Sequence, residues 1–452
     1  MIEPIARAAA AAAEPGRAAV VTDEYAVTYG ELLARAEAVA AGLTARGITR
    51  FAVLDHDAAT ALALLGGASL AGAEACLYPP TDDAAEIAGL TARFDHDVLV
   101  TAAEVDVPLP RLHPAELGAG DAGRAPDAPP PARPHLVLTT GTTGTPRGVR
   151  HDWNRLLRST RRITAAPDQR WLLAYGLHQF AGLQILLHVM AAGATLVAPA
   201  PRRPREGLAA MRNHAVDSAS ATPTYWRFLL AELRADGGPV PPLQQITLGG
   251  EAIPGPLIGE IEATFPDARI SQVYAASEFG SSGSVRDRRS GLSLEVLHRG
   301  DDADVQMKIV DGELWVRSRT GMLGYYGEPP VDPNEWRPTG DLVEVVDERI
   351  VFRGRSSEVI NVGGVKVHPL PIEERVAAVP GVDMARVFGR PNAMTGAIVA
   401  LEVVPAPDAD QAQLQAAIRA ACADLPAAAR PRSVKFVDSV TMAGNKIVRR
   451  TP

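Results

Sequence analysis

The sequence predicts an α/β protein in two parts: a large N-terminal domain of layered sheets and helices, followed by a smaller α+β C-terminal domain. Three observations lead there. The chain has 452 residues, more than one hydrophobic core usually organises. Short apolar runs of strand length alternate with longer segments of helical spacing. After DERIVFRGRSSE (residues 347–358) that alternation gives way to about 95 residues of short strands and two helices. The boundary is expected at Arg355, giving domains 1–355 and 356–452.

At the N-terminus the alanine run 8–13 is bracketed by Arg7 and Glu14 and ended by Pro15, which reads as a helix start and not as a signal peptide. Thr28 and Glu31 form a T-x-x-E capping box ahead of Leu32, Ala36, Val39 and Leu43, an apolar series at helical spacing that stops at Gly47. FAVLD (51–55) and DVLVT (97–101) are strand-length runs, with a helical stretch over 58–71 between them. Residues 118–134 are too rich in glycine and proline for regular structure and predict an exposed connection. A strand HLVLTT follows. The middle of the chain then repeats the pattern: WLLAYG, a helix through 185–192, ATLVAP, QQITLGGE and RISQVYAASE. In the last part MARVFG, AIVALEVV and VKFV read as strands, with helices over 372–379 and 411–422.

Composition narrows the function. Apolar residues make up 46% and charged residues 22% of the chain, the balance of an ordinary globular protein. Basic residues number 45 against 53 acidic ones, for a net charge of −8. With no long basic run, nucleic acid is not an expected partner. Cys76 and Cys422 stand far apart without metal-ligand spacing, so two buried structural thiols in a reducing, cytoplasmic setting are expected. No stretch approaches the ~18 uninterrupted apolar residues of a membrane span, so no membrane partner is expected either.

The strongest chemical signal is TTGTTGTPRG (139–148). It follows a strand, and its threonines and glycines leave backbone amides and hydroxyls free to face an anion such as a triphosphate. It is not a Walker A loop, which would need glycine where Pro146 sits and a Lys-Ser/Thr pair after it.

This loop resembles the T-S-G-T-T-G-x-P-K-G signature of the adenylate-forming superfamily, which holds acyl-CoA synthetases, peptide-synthetase adenylation domains and firefly luciferase. Thr140 stands for the usual serine and Arg147 for the usual lysine; arginine keeps the charge but not the compact ammonium. Further segments resemble the family in order: LGGEAI (248–253), YAASEFG (274–280), GELWVRS, GMLGYYGEP, WRPTGDLVEVV, FRGRSSE and AGNKIVRR (443–450). Ala275 replaces a glycine and Ser277 a threonine. Together they cover the chain from about Tyr25.

The resemblance implies a set of roles. Thr139, Thr140, Gly141, Thr142, Thr143 and Gly144 would wrap the phosphates of ATP, with Arg147 assisting. Gly250, Glu251, Tyr274, Ala276 and Ser277 would bind the nucleotide, Tyr274 stacking on adenine and Ser277 contacting a phosphate. Glu278, with Thr139, would hold the magnesium ion (Mg2+). Asp341 would hold the ribose hydroxyls, which suits an acceptor-only carboxylate, and Arg355 would touch the nucleotide near a hinge whose best match is Ser357. Lys446 would be the catalytic lysine of a mobile C-terminal domain, and NVGGVKVHP (361–369) the face exchanged for it between two half-reactions.

The substrate implied is a small-molecule carboxylic acid. His178 matches a histidine that many acyl- and aryl-CoA ligases carry before the acyl pocket, and Phe180 stands where α-amino-acid adenylation domains keep an aspartate. An α-amino acid is therefore not expected, because its ammonium would lack a partner. Phe180, Tyr225, Trp226, Gly249, Tyr274 and Ala275 are the candidate pocket walls. No carrier segment follows Lys446, so the thiol is expected from coenzyme A or from the phosphopantetheine of a separate acyl carrier protein. Two alternatives stay open: transfer to a carrier protein, an amine or another nucleophile, and a nucleotide-binding relative without turnover. Retention of Glu278, Asp341 and Lys446 argues against the second.

Overall fold

The structure, a computed structural model, describes residues 1–11, 16–118, 124–139, 146–406, 409–443 and 446–449. Two mixed sheets form the body of the N-terminal part. The first has six parallel strands in the spatial order Arg269–Ala276, Gln245–Gly249, Ser218–Ala221, Arg170–Leu173, Thr195–Val197 and Ala18–Val21. An antiparallel strand closes each edge, Gly280–Val285 on one side and Ala26–Thr28 on the other. The second sheet runs Gly324–Tyr325, Arg147–Asp152, Pro134–Thr139, Glu74–Leu77, Arg50–Val53, Val98–Val100 and Arg111–Leu112, parallel from Pro134–Thr139 onward.

Helices fill the space between these sheets, and their sequences show why. Helix Ala58–Ala71 is apolar all round, and nearly every residue in it is buried, the mark of an element covered on every side. Asp57 caps its start by accepting from the Thr60 N–H at 2.7 Å, and Gly72, at φ 76°, ends it. It lies close on helix Tyr29–Ala45, whose Thr28–Glu31 capping box is present as expected. Gly67 permits the approach: a Cβ there would stand 2.5 Å from the Val39 side chain. The Tyr29 hydroxyl reaches across the layer to donate to the Ala194 carbonyl at 2.6 Å.

A third, antiparallel sheet of five strands, Leu292–Ser293, Arg349–Arg355, Arg337–Val346, Glu313–Ser318 and Val305–Val310, adds to the N-terminal part. Beyond it, strands Val365–Val367, Ile360–Val362, Gly396–Pro405, Val382–Asn392 and Ser433–Phe436 form a separate sheet with its own core. Helices Pro369–Ala377 and Gln411–Ala421 pack on it through Ile372, Val376, Leu414 and Ile418. The architecture is thus mixed α/β with a large N-terminal and a smaller C-terminal domain.

The differences from expectation are at element ends. The first helix is Ile2–Ala11, earlier than the alanine run, and the helix expected over 185–192 begins at Phe180. Of the connection expected over 118–134, the described residues 118 and 124–133 hold neither strand nor helix, and the last residue, Pro134, begins strand Pro134–Thr139. Cys76 and Cys422 are both free and buried. Among the described residues, no helix is long and apolar enough to cross a membrane.

Candidate functional site

The candidate residues gather where strands end, the place at which open parallel sheets bind ligands. Thr139 and Arg147 are the last cross-strand pair of their hairpin, and the Thr139 hydroxyl donates to the Arg147 carbonyl at 3.4 Å. Thr140, Gly141, Thr142, Thr143 and Gly144 lie outside the described residues. The Arg147 guanidinium sits 3.4 Å over the centre of the Tyr325 ring, and its Nη2 donates to Glu328 at 2.6 Å. Tyr325 in turn donates to Glu278 Oε1 at 3.0 Å. Burial, then the Glu278 carboxylate, push the Tyr325 phenol up to about 12, so it remains a donor. Arginine, tyrosine and glutamate therefore form one connected line that starts beside Thr139.

Glu278 stands with Ser277 in the turn between Arg269–Ala276 and Gly280–Val285, where Ala275 and Ala276 pair with Ser281 and Gly280. Among the described residues no group of three or more His, Cys, Asp or Glu is placed to hold a metal ion. A single carboxylate with a nearby hydroxyl fits magnesium that arrives on a nucleotide, since that ion commonly takes one or two carboxylates and completes its shell with phosphates and water.

The second cluster is built on Tyr274, Asp341 and Arg355. The last two are cross-strand partners on Arg337–Val346 and Arg349–Arg355. Tyr274 donates to Asp341 Oδ2 at 2.6 Å, and Arg355 Nε donates to Oδ1 at 3.0 Å. Gly340, at φ 77° within strand Arg337–Val346, precedes Asp341 and donates its N–H to Glu313 at 2.8 Å. Burial and the Asp341 carboxylate raise the Tyr274 phenol far above its ordinary value, and the same carboxylate holds Arg355 above its own. Phe352 stacks on the Tyr274 ring at 5.1 Å and 28°. Tyr274 and Phe352 border a cleft of about 290 Å³ whose other walls include Glu251, Ala252, Ile253 and Leu292. Gly249 ends its strand there, and Gly250, at φ 83°, turns the chain along the cleft. Glu251 Oε2 accepts from the Thr224 N–H at 3.3 Å and hydroxyl at 2.7 Å, tying this wall to helix Pro223–Asp236.

The structure does not bring every candidate to that cleft. Phe180 is 6% exposed and stacks on His151 at 5.0 Å in the main core. Tyr225 and Trp226 belong to the core beneath the first sheet; their polar atoms donate to the carbonyls of Arg203, at 3.4 Å, and Thr247, at 3.3 Å. Aromatic rings that bury wholly in a core gain more than they would at a wet rim. His178 is half-buried with its ring edge-on to His56 at 6.2 Å. Burial, then His56 and Arg202, hold its imidazole down to about 4. Lys446 begins the short strand Lys446–Ile447, paired with Met442–Ala443; its side chain lies outside what is described.

Sequence reasoning missed Phe352, Tyr325 as the partner of Glu278, and Glu328 as the partner of Arg147. Each contact joins segments far apart in the chain. Tyr325 and Glu328 were in view within GMLGYYGEP, but nothing local to that segment names their partners.

The fold and the geometry of the site are those of the adenylate-forming enzyme class. The model of the AMP-binding enzyme family matches residues 7–326 and that of the AMP-binding enzyme C-terminal domain matches 371–446; the chain belongs to the AMP-binding enzyme family. Among its relatives is the fatty acid–[acyl-carrier-protein] ligase MmaC of Mycobacterium marinum, 27% identical over 94% of this chain and 92% of that protein. Another is the medium/long-chain-fatty-acid–[acyl-carrier-protein] ligase FadD10 of Mycobacterium tuberculosis, 28% identical over 88% of this chain and 77% of that protein. The fold is shared with the anthranilate CoA ligase AuaEII in complex with anthranoyl-AMP, at a TM-score of 0.84, 18% identity, and coverage of 99% and 95% of the two chains. It is also shared with the o-succinylbenzoate CoA synthetase MenE of Bacillus subtilis, at a TM-score of 0.80, 22% identity, and coverage of 99% and 97%.

Proposed function

We propose that this protein is an AMP-forming acid–thiol ligase that activates an aryl or aliphatic carboxylic acid as its acyl-adenylate, releases pyrophosphate and passes the acyl group to a thiol. The observation that carries this reading is the Tyr274–Asp341–Arg355 cluster at the rim of the cleft. An aromatic ring for a base, a carboxylate for a diol and a guanidinium for a phosphate suit one nucleotide. Asp341 accepts two bonds from the protein, and an ionised carboxylate has about four acceptor positions, so two remain for ribose hydroxyls.

In the first half-reaction the substrate carboxylate attacks the α-phosphorus in line and expels pyrophosphate. The residues proposed to orient and neutralise the growing charge are Thr139 and the loop that follows it, Arg147 and Lys446. Glu278 would hold magnesium, which supplies charge neutralisation on the phosphate oxygens. In the second half-reaction a thiolate attacks the acyl carbonyl, and AMP leaves. The domain boundary is placed at Arg355, so that residues 356–452 turn as a unit between the two steps.

The sequence position of Phe180, where α-amino-acid adenylation domains keep an aspartate, supports an acid without an α-ammonium, while its ring packs on His151 in the core. The thiol belongs to coenzyme A or to a carrier-protein phosphopantetheine; MmaC and FadD10 favour keeping the carrier protein in the test. Use of ATP and two buried free thiols support a cytoplasmic location.

The test is ATP-dependent pyrophosphate release over a panel of aryl, short-chain and long-chain acids, with and without coenzyme A. Lys446→Ala is expected to abolish acid-dependent pyrophosphate exchange while sparing thioester formation from supplied acyl-adenylate. Full exchange in that variant removes Lys446 from the first step, and ATP binding without release on any acid leaves the non-catalytic reading standing.

A further inference from the structure

The strand that begins at Lys446 is short, and its surroundings show what keeps it in place. Met442–Ala443 and Lys446–Ile447 form a two-stranded ribbon that, among the described residues, joins no other sheet, and such a ribbon is barely stable by itself. One backbone bond extends it, from the Val448 N–H to the Thr441 carbonyl. Side chains do the rest. Arg386 Nε donates to the Val448 carbonyl at 2.5 Å. Arg449 Nε lies 3.0 and 2.9 Å from the two oxygens of Glu373, and Nη2 lies 2.8 Å from Oε2. Arg449 Nη1 reaches Glu358 at 3.4 Å.

Neither carboxylate is casually placed. Glu373 is 5% exposed on helix Pro369–Ala377, and its Oε1 also accepts from the Val387 N–H at 2.8 Å. It is therefore fixed to both the helix and strand Val382–Asn392, at the edge of the C-terminal sheet. Glu358 follows Ser357, the hinge match, by one residue. Ile447 and Arg449 line a small cleft together with Thr224, Glu251 and Ala252, so the clamped tail lies against the wall of the nucleotide cleft. A forked guanidinium held by a buried carboxylate is a directional bond that a lysine cannot reproduce.

We propose that Arg449 is a positioning residue for adenylate formation: by clamping the tail onto Glu373 and Glu358 it sets where the strand carrying Lys446 meets the N-terminal domain. Two residues, Ile447 and Val448, separate the clamp from Lys446, three steps or about 10 Å of extended chain, so little slack remains. The proposal rests on the role given to Lys446 above.

The test compares Arg449→Ala, Arg449→Lys and Lys446→Ala in the full chain, with three readouts. Pyrophosphate exchange is driven by whichever of benzoate, anthranilate or octanoate the unaltered protein activates best. Thioester formation is followed from the matching synthetic adenylate and coenzyme A, and hydrogen exchange is read over residues 440–449. Arg449→Ala is expected to lower kcat for exchange about 100-fold, the scale of a misplaced catalytic group, with KM for ATP within about threefold. Protection should fall in 440–449 while helix Pro369–Ala377 and strand Val382–Asn392 keep theirs. Arg449→Lys should recover part of the rate. Two results overturn the proposal: a full exchange rate in Arg449→Ala, or protection lost across the whole C-terminal sheet, which makes Arg449 a folding residue. If Lys446→Ala keeps full exchange, the positioning role falls with the role of Lys446, and hydrogen exchange still tells that failure from a clamp that does not exist.

Discussion

Asp341 shows how much a single residue carries. Its two oxygens each hold a protein donor, from Tyr274 and from Arg355, and it is 13% exposed. Asp341→Ala removes the acceptor proposed for ribose together with the partner of two donors, Tyr274 and Arg355. Hydrogen bonds to a charged group are worth about 1.5–3 kcal/mol, so KM for ATP should rise roughly 10- to 100-fold, read by pyrophosphate exchange or by calorimetric titration of nucleotide. A KM within twofold of the original removes Asp341 from the nucleotide site. Asp341, Tyr274 and Arg355 were legible in the sequence because each sits in a recognisable segment. Phe352, which covers one face of the Tyr274 ring, was not, because a stacking partner is set by how two distant strands meet.

Elements were legible where their ends carry a chemical signal. The Thr28–Glu31 box marks a helix start in the sequence and does so in the fold: Glu31 N donates to the Thr28 hydroxyl at 3.2 Å, and Thr28 N to Glu31 Oε2 at 2.8 Å. Thr28→Ala should cost about 1 kcal/mol, measured as a lower midpoint in denaturant; an unchanged midpoint would mean the cap is frayed in solution. Helix Phe180–Ala192 makes the opposite case. Its N-cap, Gln179, makes no side-chain bond to the helix end, so its first turn leaves no trace in the sequence and the start was read five residues late. Strand ends behave likewise. DVLVT is shortened to Val98–Val100 because pairing with its neighbours, not the apolar run, decides where the ladder stops.

At the scale of the whole molecule, the interior holds several imidazoles that burial keeps neutral. His56, His96 and His178 are held down to about 4, and His135 and His151 to about 3. In the unfolded chain these rings take a proton near pH 6.5. Between about pH 4 and 6.5 the unfolded state therefore binds more protons, so stability is present above pH 6.5 and is lost as pH falls. Each group contributes a slope of up to about 1.4 kcal/mol per pH unit in that window. Thermal melts at pH 7.5, 6.5 and 5.5 should show a fall that steepens with acidity. His151→Leu should flatten it, since both ring nitrogens of His151 lack a partner among the described residues and no bond is lost in the exchange. A melting temperature level across that range would show that these rings are already solvated in the native state. None of this was legible in advance, because burial belongs to the fold and a histidine looks the same in sequence whether wet or dry.

The two cysteines carry a practical consequence. Cys76 is 0% and Cys422 3% exposed, one in each part of the chain, and burial raises both thiols above their ordinary value. Dyes that react with thiolate find little to attack in the native protein. Met394, by contrast, is 94% exposed at the tip between strands Val382–Asn392 and Gly396–Pro405. A cysteine introduced there, paired with one at the 43%-exposed Phe228 on helix Pro223–Asp236, gives a fluorophore pair on an otherwise native background. Its energy transfer would test in real time whether the small domain swings as proposed, with both native thiols left in place.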